Sequence, residues 1–240
     1  MIYIKRAKAI YAEKRNTVKN WKGALQGHPA FIVGCGPSLE DVSLDPLLSY
    51  FTIGINRVYQ KDKFDPTILF WQDLEFWKTE HKKVPKLKAI KFTRSLTDPK
   101  DIAYHFNFKS GPFMLPISAS TLYGSGASAP LSFELASALG CDPIVFLGTD
   151  CKYRKKKTNF YGVNADHKPH TLTRCTKGLN WIQAWDKKGK HKIINCSDND
   201  ILPNKMSLED AIEYVKEVCG DFGQPKGRDF YASRLMKQKC

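Results

Sequence analysis

The chain has 240 residues, 42% of them hydrophobic and 26% charged, which are the proportions of one ordinary domain and exclude a disordered tail or a mini-protein. Its 38 Lys and Arg against 24 Asp and Glu give a formal net charge of +14 and a pI near 9.4. That balance suits a polyanionic partner such as nucleic acid, an anionic membrane face or a phosphorylated small molecule, and it suits a plain solvated basic face equally well. No run reaches the roughly 18 uncharged apolar residues of a membrane span, and the start of the chain mixes charge into every apolar run, unlike a cleavable signal. A soluble protein of the cytoplasm is expected.

Taken in chain order, residues 2–25 place Ile10, Val18, Trp21 and Leu25 near helical spacing and carry seven Lys or Arg against one Glu, the pattern of a basic amphipathic helix. Residues 1–28 are read as that N-terminal element. Ala30 to Gly34 is a short apolar strand running into Gly-Cys-Gly-Pro-Ser, and Ser38 with Glu40 and Asp41 has the composition of a helix start. Strands are expected at 51–55, 67–71 and 87–92, with a helix over 73–81. Residues 125–139 read as a helix ending at Gly140, and 143–147 as a strand entering Gly148-Thr149-Asp150. Residues 151–175 are polar and too long for an ordinary connection, so they read as a lid. A helix over 171–188, a strand over 192–195 and a helix over 208–219 follow, and 221–240 reads as a basic tail. Alternating short buried strands and helices predict a mostly parallel, doubly wound α/β sheet, with the domain at 29–220.

Seven cysteines, at 35, 141, 151, 175, 196, 219 and 240, form no C-x-x-C pair and no zinc spacing. Reduced thiols are the simple reading. Cys35, Cys141 and Cys196 lie beside apolar runs as small buried hydrophobes, and no cysteine receives a catalytic role.

In an open α/β sheet the ligand sits outside the carboxyl ends of the strands, so the residues that follow each strand are the candidates. They are Gly34, Gly36, Pro37 and Ser38 after the first strand, Asn56 after the second and Gln72 with Asp73 after the third. Ser125 and Gly126 precede the long helix, and Thr149 and Asp150 follow the fifth strand. The small-residue turn lets backbone approach a ligand and opens a helix whose N–H groups suit a phosphate. Leu39 stands where a third glycine would complete G-x-G-x-x-G, and no Gly-Lys-Ser/Thr follows, which argues against P-loop NTP hydrolysis.

Phe31 to Leu39, with its G-x-G-P-S-L turn, resembles the bacterial sialyltransferase family typified by Campylobacter enzymes and the related motility-associated, flagellin-modifying glycosyltransferases. Tyr123-Gly124-Ser125-Gly126, the helix end Ala136-Ser137-Ala138-Leu139-Gly140 and the strand ending Gly148-Thr149-Asp150 are similar to that family's S-G helix, A-x-A-L-G end and G-x-D triplet. Asn56 matches the asparagine after its second strand, and order and spacing agree from about residue 30 to 200. The resemblance implies a single Rossmann-like, GT-A-like domain with an inserted lid, and a nucleotide-sugar donor held by the turn, the asparagine and the S-G helix start. It also implies lid tyrosines on the donor phosphate, here Tyr153 and Tyr161, and a lid histidine as general base with no essential metal. His170, after Pro169 and before the next helix, is the preferred base and His167 the second candidate; a histidine suits deprotonation of a hydroxyl because it titrates near neutrality.

The lid departs from the family in the run Lys152, Arg154, Lys155, Lys156 and Lys157, which could grip phosphates or nucleic acid. Nothing in the turns names the base, so UDP- and CMP-linked donors both stand; Asp73 and Asp150 could hold a divalent ion for a diphosphate donor, or Asp150 could only order the lid. Trp71, Phe76, Trp77, Tyr123, Phe160, Tyr161, Trp181 and Trp185 fall near the expected ligand edge, the last two at core-packing helical spacing. The leading expectation is an inverting glycosyltransferase acting on DNA, at the 5-hydroxymethyl group of a modified pyrimidine in a phage-like genome. Alternatives are a surface glycan or protein acceptor with docking on an anionic membrane, a non-catalytic nucleotide-binding protein, and a pterin pyrophosphokinase-like enzyme. Oligomeric state is left open.

Overall fold

Short runs of apolar residues make strands here because both of their faces find cover. The computed structural model describes residues 18–94, 102–112, 118–154, 156–162, 169–189 and 191–238. Strands β1 (Ala30–Val33), β2 (Thr52–Ile55), β3 (Ile68–Trp71), β4 (Ile90–Thr93), β5 (Ala103–His105), β8 (Ile144–Leu147) and β9 (Ile193–Cys196) form one sheet in the order β5-β4-β3-β2-β1-β8-β9. Every pairing in it is parallel, and β6 (Asn107–Ser110) pairs in parallel with β7 (Thr121–Gly124) beside it. The chain therefore winds outward from β1 in both directions, and the reversal falls between β1 and β8, the topological switch point of a Rossmann-like, doubly wound fold.

Alternation along β1 and β8 separates two of the three buried clusters. Ala30 and Ile32 of β1 and Ile144 and Phe146 of β8 join one buried cluster, while Phe31, Val33, Val145 and Leu147 join the other. Helix α1 (Leu74–Glu80) follows β3, α2 (Ser128–Ala138) follows β7, α3 (Pro169–Asp186) precedes β9, and α4 (Leu208–Cys219) covers the second cluster. In α2 ten of eleven residues are buried, as expected of a helix enclosed on all sides rather than lying on a surface. Among the described residues no helix is long and apolar enough to cross a membrane.

Both ends of the described chain differ from their reading by composition. Residues 1–17 lie outside the described residues; from Asn20 to Gly27 the backbone is a series of turns, and Val18, Trp21 and Leu25 are fully buried in the sheet's larger core. Glycines at 23 and 27 break the helical period, and Trp21 packs on Phe92 with ring centroids 5.9 Å apart. The stretch expected as a basic tail contains helix α5 (Arg228–Met236), whose Tyr231 and Leu235 are fully buried in the same core. Lys and Arg mask this helix in a composition reading because its apolar contribution is carried by a few positions on one side. If α5 is part of the core, Leu235→Ala lowers the free energy of unfolding by about 2–5 kcal/mol in urea titration, whereas a peripheral tail would give under about 0.5 kcal/mol.

Candidate functional site

At the switch point the carboxyl ends of β1, β2, β3 and β8 surround a cavity of about 360 Å³, the size of a small-ligand site. Gly34, Gly36, Pro37, Asn56, Gln72, Asp73, Gly126, Thr149 and Asp150 line it, so most of the residues collected after the strands do converge. Ser38 and Ser125 are not among its lining residues. Ser38 donates its backbone N–H to Asp150 Oδ2 at 2.8 Å and its hydroxyl to Asp150 Oδ1 at 2.6 Å. Ser125 Oγ is turned to Gly178 of α3, where an added Cβ would lie 2.6 Å from it.

These bonds change the meaning of the glycine turn. The turn opens only a three-residue 3-10 helix (Pro37–Leu39), and the anion that satisfies Ser38 is the protein's own Asp150. Asp150 Oδ1 also accepts the Asp198 N–H at 3.1 Å, which ties the turns after β1, β8 and β9 together. A Cβ on Gly36 would lie 2.5 Å from Asp150 Oδ2 and 2.7 Å from the Gly148 carbonyl, so this glycine is required by the approach of the β8 turn. Asp150 is therefore an ordering group, and among the described residues no cluster of three or more His, Cys, Asp or Glu side chains could hold a metal. Thr149, also buried, is bound through its N–H and hydroxyl to Ser197 Oγ at 3.0 and 2.8 Å.

The opposite wall is differently made. Asn56 adopts φ +50°, a left-handed conformation that asparagine tolerates better than most residues, and its Oδ1 is buried without a hydrogen-bond partner. Gln72 donates Nε2 to the Gly126 carbonyl at 2.8 Å, bridging β3 to the turn before α2, and its buried Oε1 likewise has no partner. Two orphan amide oxygens in one cavity wall are costly unless a ligand donor or water meets them.

Arg57, which strand-end reasoning passed over although it directly follows Asn56, also lines the cavity. Its Nε donates to Glu80 Oε1 at 2.7 Å and its Nη2 to Thr79 Oγ1 at 2.7 Å. Glu80 is buried and also accepts the Tyr59 hydroxyl at 2.5 Å. Burial pushes the Glu80 carboxyl up, but bonds from Tyr59, Arg57 and Lys83 outweigh it and hold the group below its ordinary value. No spacing rule links an arginine after β2 to a glutamate 23 residues away at the end of α1, so only the fold reveals the pair.

The expected lid divides. Residues 151–154 and 156–162 carry Arg154–Lys157 and Asn159–Gly162 bridges, and the Phe160 N–H donates to the Cys35 carbonyl at 3.0 Å, fastening this stretch over the β1 turn. Tyr161 and Arg57 both line the cavity; Tyr153 is exposed and does not line it. Lys152 lines the mouth and pairs with Asp198 at 2.9 Å, Lys157 pairs with Glu40, Arg154 and Lys156 are exposed, and Lys155 lies outside the described residues. His170 falls in the first turn of α3, next to cavity-lining Thr171 and Leu172, and His167 lies outside the described residues.

Cys151 and Cys175, expected as reduced thiols, are paired as a disulfide at the cavity wall, with Cα atoms 6.1 Å apart, a pairing that α3 makes by crossing back over the β8 turn. Cys35 donates to the Ile55 carbonyl at 3.1 Å, and burial pushes its thiol up to about 12, so it supplies no nucleophile at neutral pH. Matched against known protein families, curated proteins and solved structures, the chain finds no counterpart.

Strand β7, which leads into the turn carrying Gly126, is tied to α2 by Glu134, which accepts the Tyr123 N–H while its Oε1 stays buried and unpartnered. Burial raises this carboxyl from 4.5 to about 8, only partly opposed by the Tyr123 bond. The folded state thus keeps a proton that the unfolded chain releases. Stability from this group is complete below about pH 4.5 and is lost as pH rises through about 8. Glu134→Gln, neutral throughout, is expected to flatten that decline in urea midpoints measured between those pH values; equal declines in the two proteins would contradict it.

Proposed function

We propose that this chain is a nucleotide-sugar-dependent glycosyltransferase that takes its donor in the switch-point cavity and passes the sugar to an acceptor hydroxyl. The observation that carries the reading is the pair of buried, unpartnered amide oxygens of Asn56 and Gln72 at the carboxyl ends of β2 and β3. Such acceptors match the N–H edge of a nucleobase, and the cavity lies where doubly wound sheets bind nucleotides. The resemblance of the G-x-G-P-S-L, S-G and G-x-D segments supplies the transfer chemistry. In it the acceptor oxygen attacks the anomeric carbon, its proton passes to the His170 imidazole, and the bond to the nucleotide phosphate breaks. Tyr161 then donates to the departing phosphate; burial keeps its phenol protonated well above neutral pH.

DNA bearing a 5-hydroxymethylpyrimidine is the proposed acceptor. The net charge of +14 supports it, as do exposed Arg154 and Lys156 beside the cavity-lining Lys152. Cations at the mouth of the site would hold the phosphate backbone while the modified base is extruded toward the donor.

The test incubates the purified chain with UDP-, CMP- and GDP-sugars and hydroxymethylated DNA, beside glycan acceptors, and reads products by mass spectrometry. A hexose-class mass increase on a nucleoside is expected, with His170→Ala lowering turnover by about 10²–10⁴ while donor binding persists, and His167→Ala milder. Transfer to a glycan alone would overturn the DNA acceptor, and failure of every donor to be bound or consumed would overturn the enzyme class.

A further inference from the structure

The fixed positive charge of this cavity does not sit at the glycine turn. There Ser38 already gives its N–H and its hydroxyl to Asp150, so a carboxylate occupies the position that an incoming phosphate would take. Across the cavity, Arg57 is clamped along one edge by Glu80 and Thr79, both at 2.7 Å, and its side chain is only 14% exposed. Glu80 is buried and braced in turn by Tyr59 and Lys83. A guanidinium held this way has lost its rotamer freedom before any ligand arrives, and its planar fork matches phosphate oxygens. Tyr161 joins it from the lid segment, which puts a hydroxyl and a guanidinium side by side on the cavity wall. The other lining cations are less fixed: Lys152 is drawn to Asp198, and Arg174 is exposed.

We propose that Arg57 is the cation that recognises the phosphate of the ligand, next to the Tyr161 hydroxyl already assigned to it, and that Glu80 is the positioning residue that holds Arg57 to this task. The inference rests on the nucleotide reading above and adds to it where the negative charge is read. Removing the cation should therefore abolish the preference for a nucleotide over its nucleoside and leave binding of the nucleoside itself.

Isothermal titration of the full chain with uridine, UMP, cytidine, CMP and inorganic phosphate tests this. The wild type is expected to bind the better monophosphate about tenfold or more tightly than its nucleoside. Arg57→Gln should bring the two to equal affinity, Arg57→Lys should restore part of the gap, and Glu80→Gln should shrink it. The double variant Arg57→Gln/Glu80→Gln removes the cation without leaving a buried unpaired carboxylate, so a collapse seen there too cannot be charged to misfolding. Lys216→Gln on α4 supplies the same change of net charge away from the cavity and should keep the full preference. An undiminished preference in the Arg57 variants overturns the assignment. Phosphate binding that depends on Arg57 without any nucleoside or nucleotide binding would uphold the anion site and overturn the nucleotide reading. No binding of any of these ligands would overturn both.

Discussion

The carboxylate of Asp150 is the interaction on which the arrangement of this site depends. It lies at the end of β8, accepts the Ser38 N–H and hydroxyl from the turn after β1, and accepts the Asp198 N–H from the turn after β9. Parallel strands do not fix the relative position of the loops at their carboxyl ends, because each loop leads to a different crossover. One buried anion with three donors from two other turns does fix it. Glycine at positions 34 and 36 then follows as a steric requirement, since the Gly148 carbonyl and the Asp150 side chain fill the space that Cβ atoms would need.

A division of labour across the cavity follows from that constraint. The β1 and β8 side is internally satisfied, with Ser38, Thr149 and Asp150 all bonded to protein partners. The β2 and β3 side keeps unmet acceptors on Asn56 and Gln72 and carries Arg57 on a buried anchor. The proposed ligand recognition therefore falls to the second side and the architecture to the first. The lid segment links them, bonded to the β1 turn through Phe160 and placing Tyr161 in the same cavity lining as Arg57, and the Cys151–Cys175 pair joins its base to α3.

The doubly wound sheet was legible because short apolar runs followed by small or polar residues recur at the right spacing, and the strand-end rule collected nine residues that do line the cavity. What it could not show was the direction in which each group spends its hydrogen bonds. Ser38 and Asp150 both read as ligand contacts, yet each is the other's partner across 112 residues of chain. Arg57 and Glu80 carried no motif, and neither did the Cys151–Cys175 pair, because each depends on two elements meeting in space. The strands β5 to β7 were missed since Tyr104, His105, Lys109 and Ser110 give them no apolar run. Helix α5 was missed for the same reason, its buried Tyr231 and Leu235 being set among charged neighbours.

Hydrogen–deuterium exchange of the whole protein, with and without saturating UMP or CMP, distinguishes recognition at Arg57 from recognition at the glycine turn. Slowed exchange is expected in the segments around Asn56 and Arg57, around Gly126 and around Tyr161. Little change is expected at Gly34, Gly36 and Ser38, whose amides are already bonded to Leu147, Gly148 and Asp150. Protection concentrated in the glycine turn, with none at Arg57, would place the phosphate where Asp150 now sits and contradict recognition at Arg57.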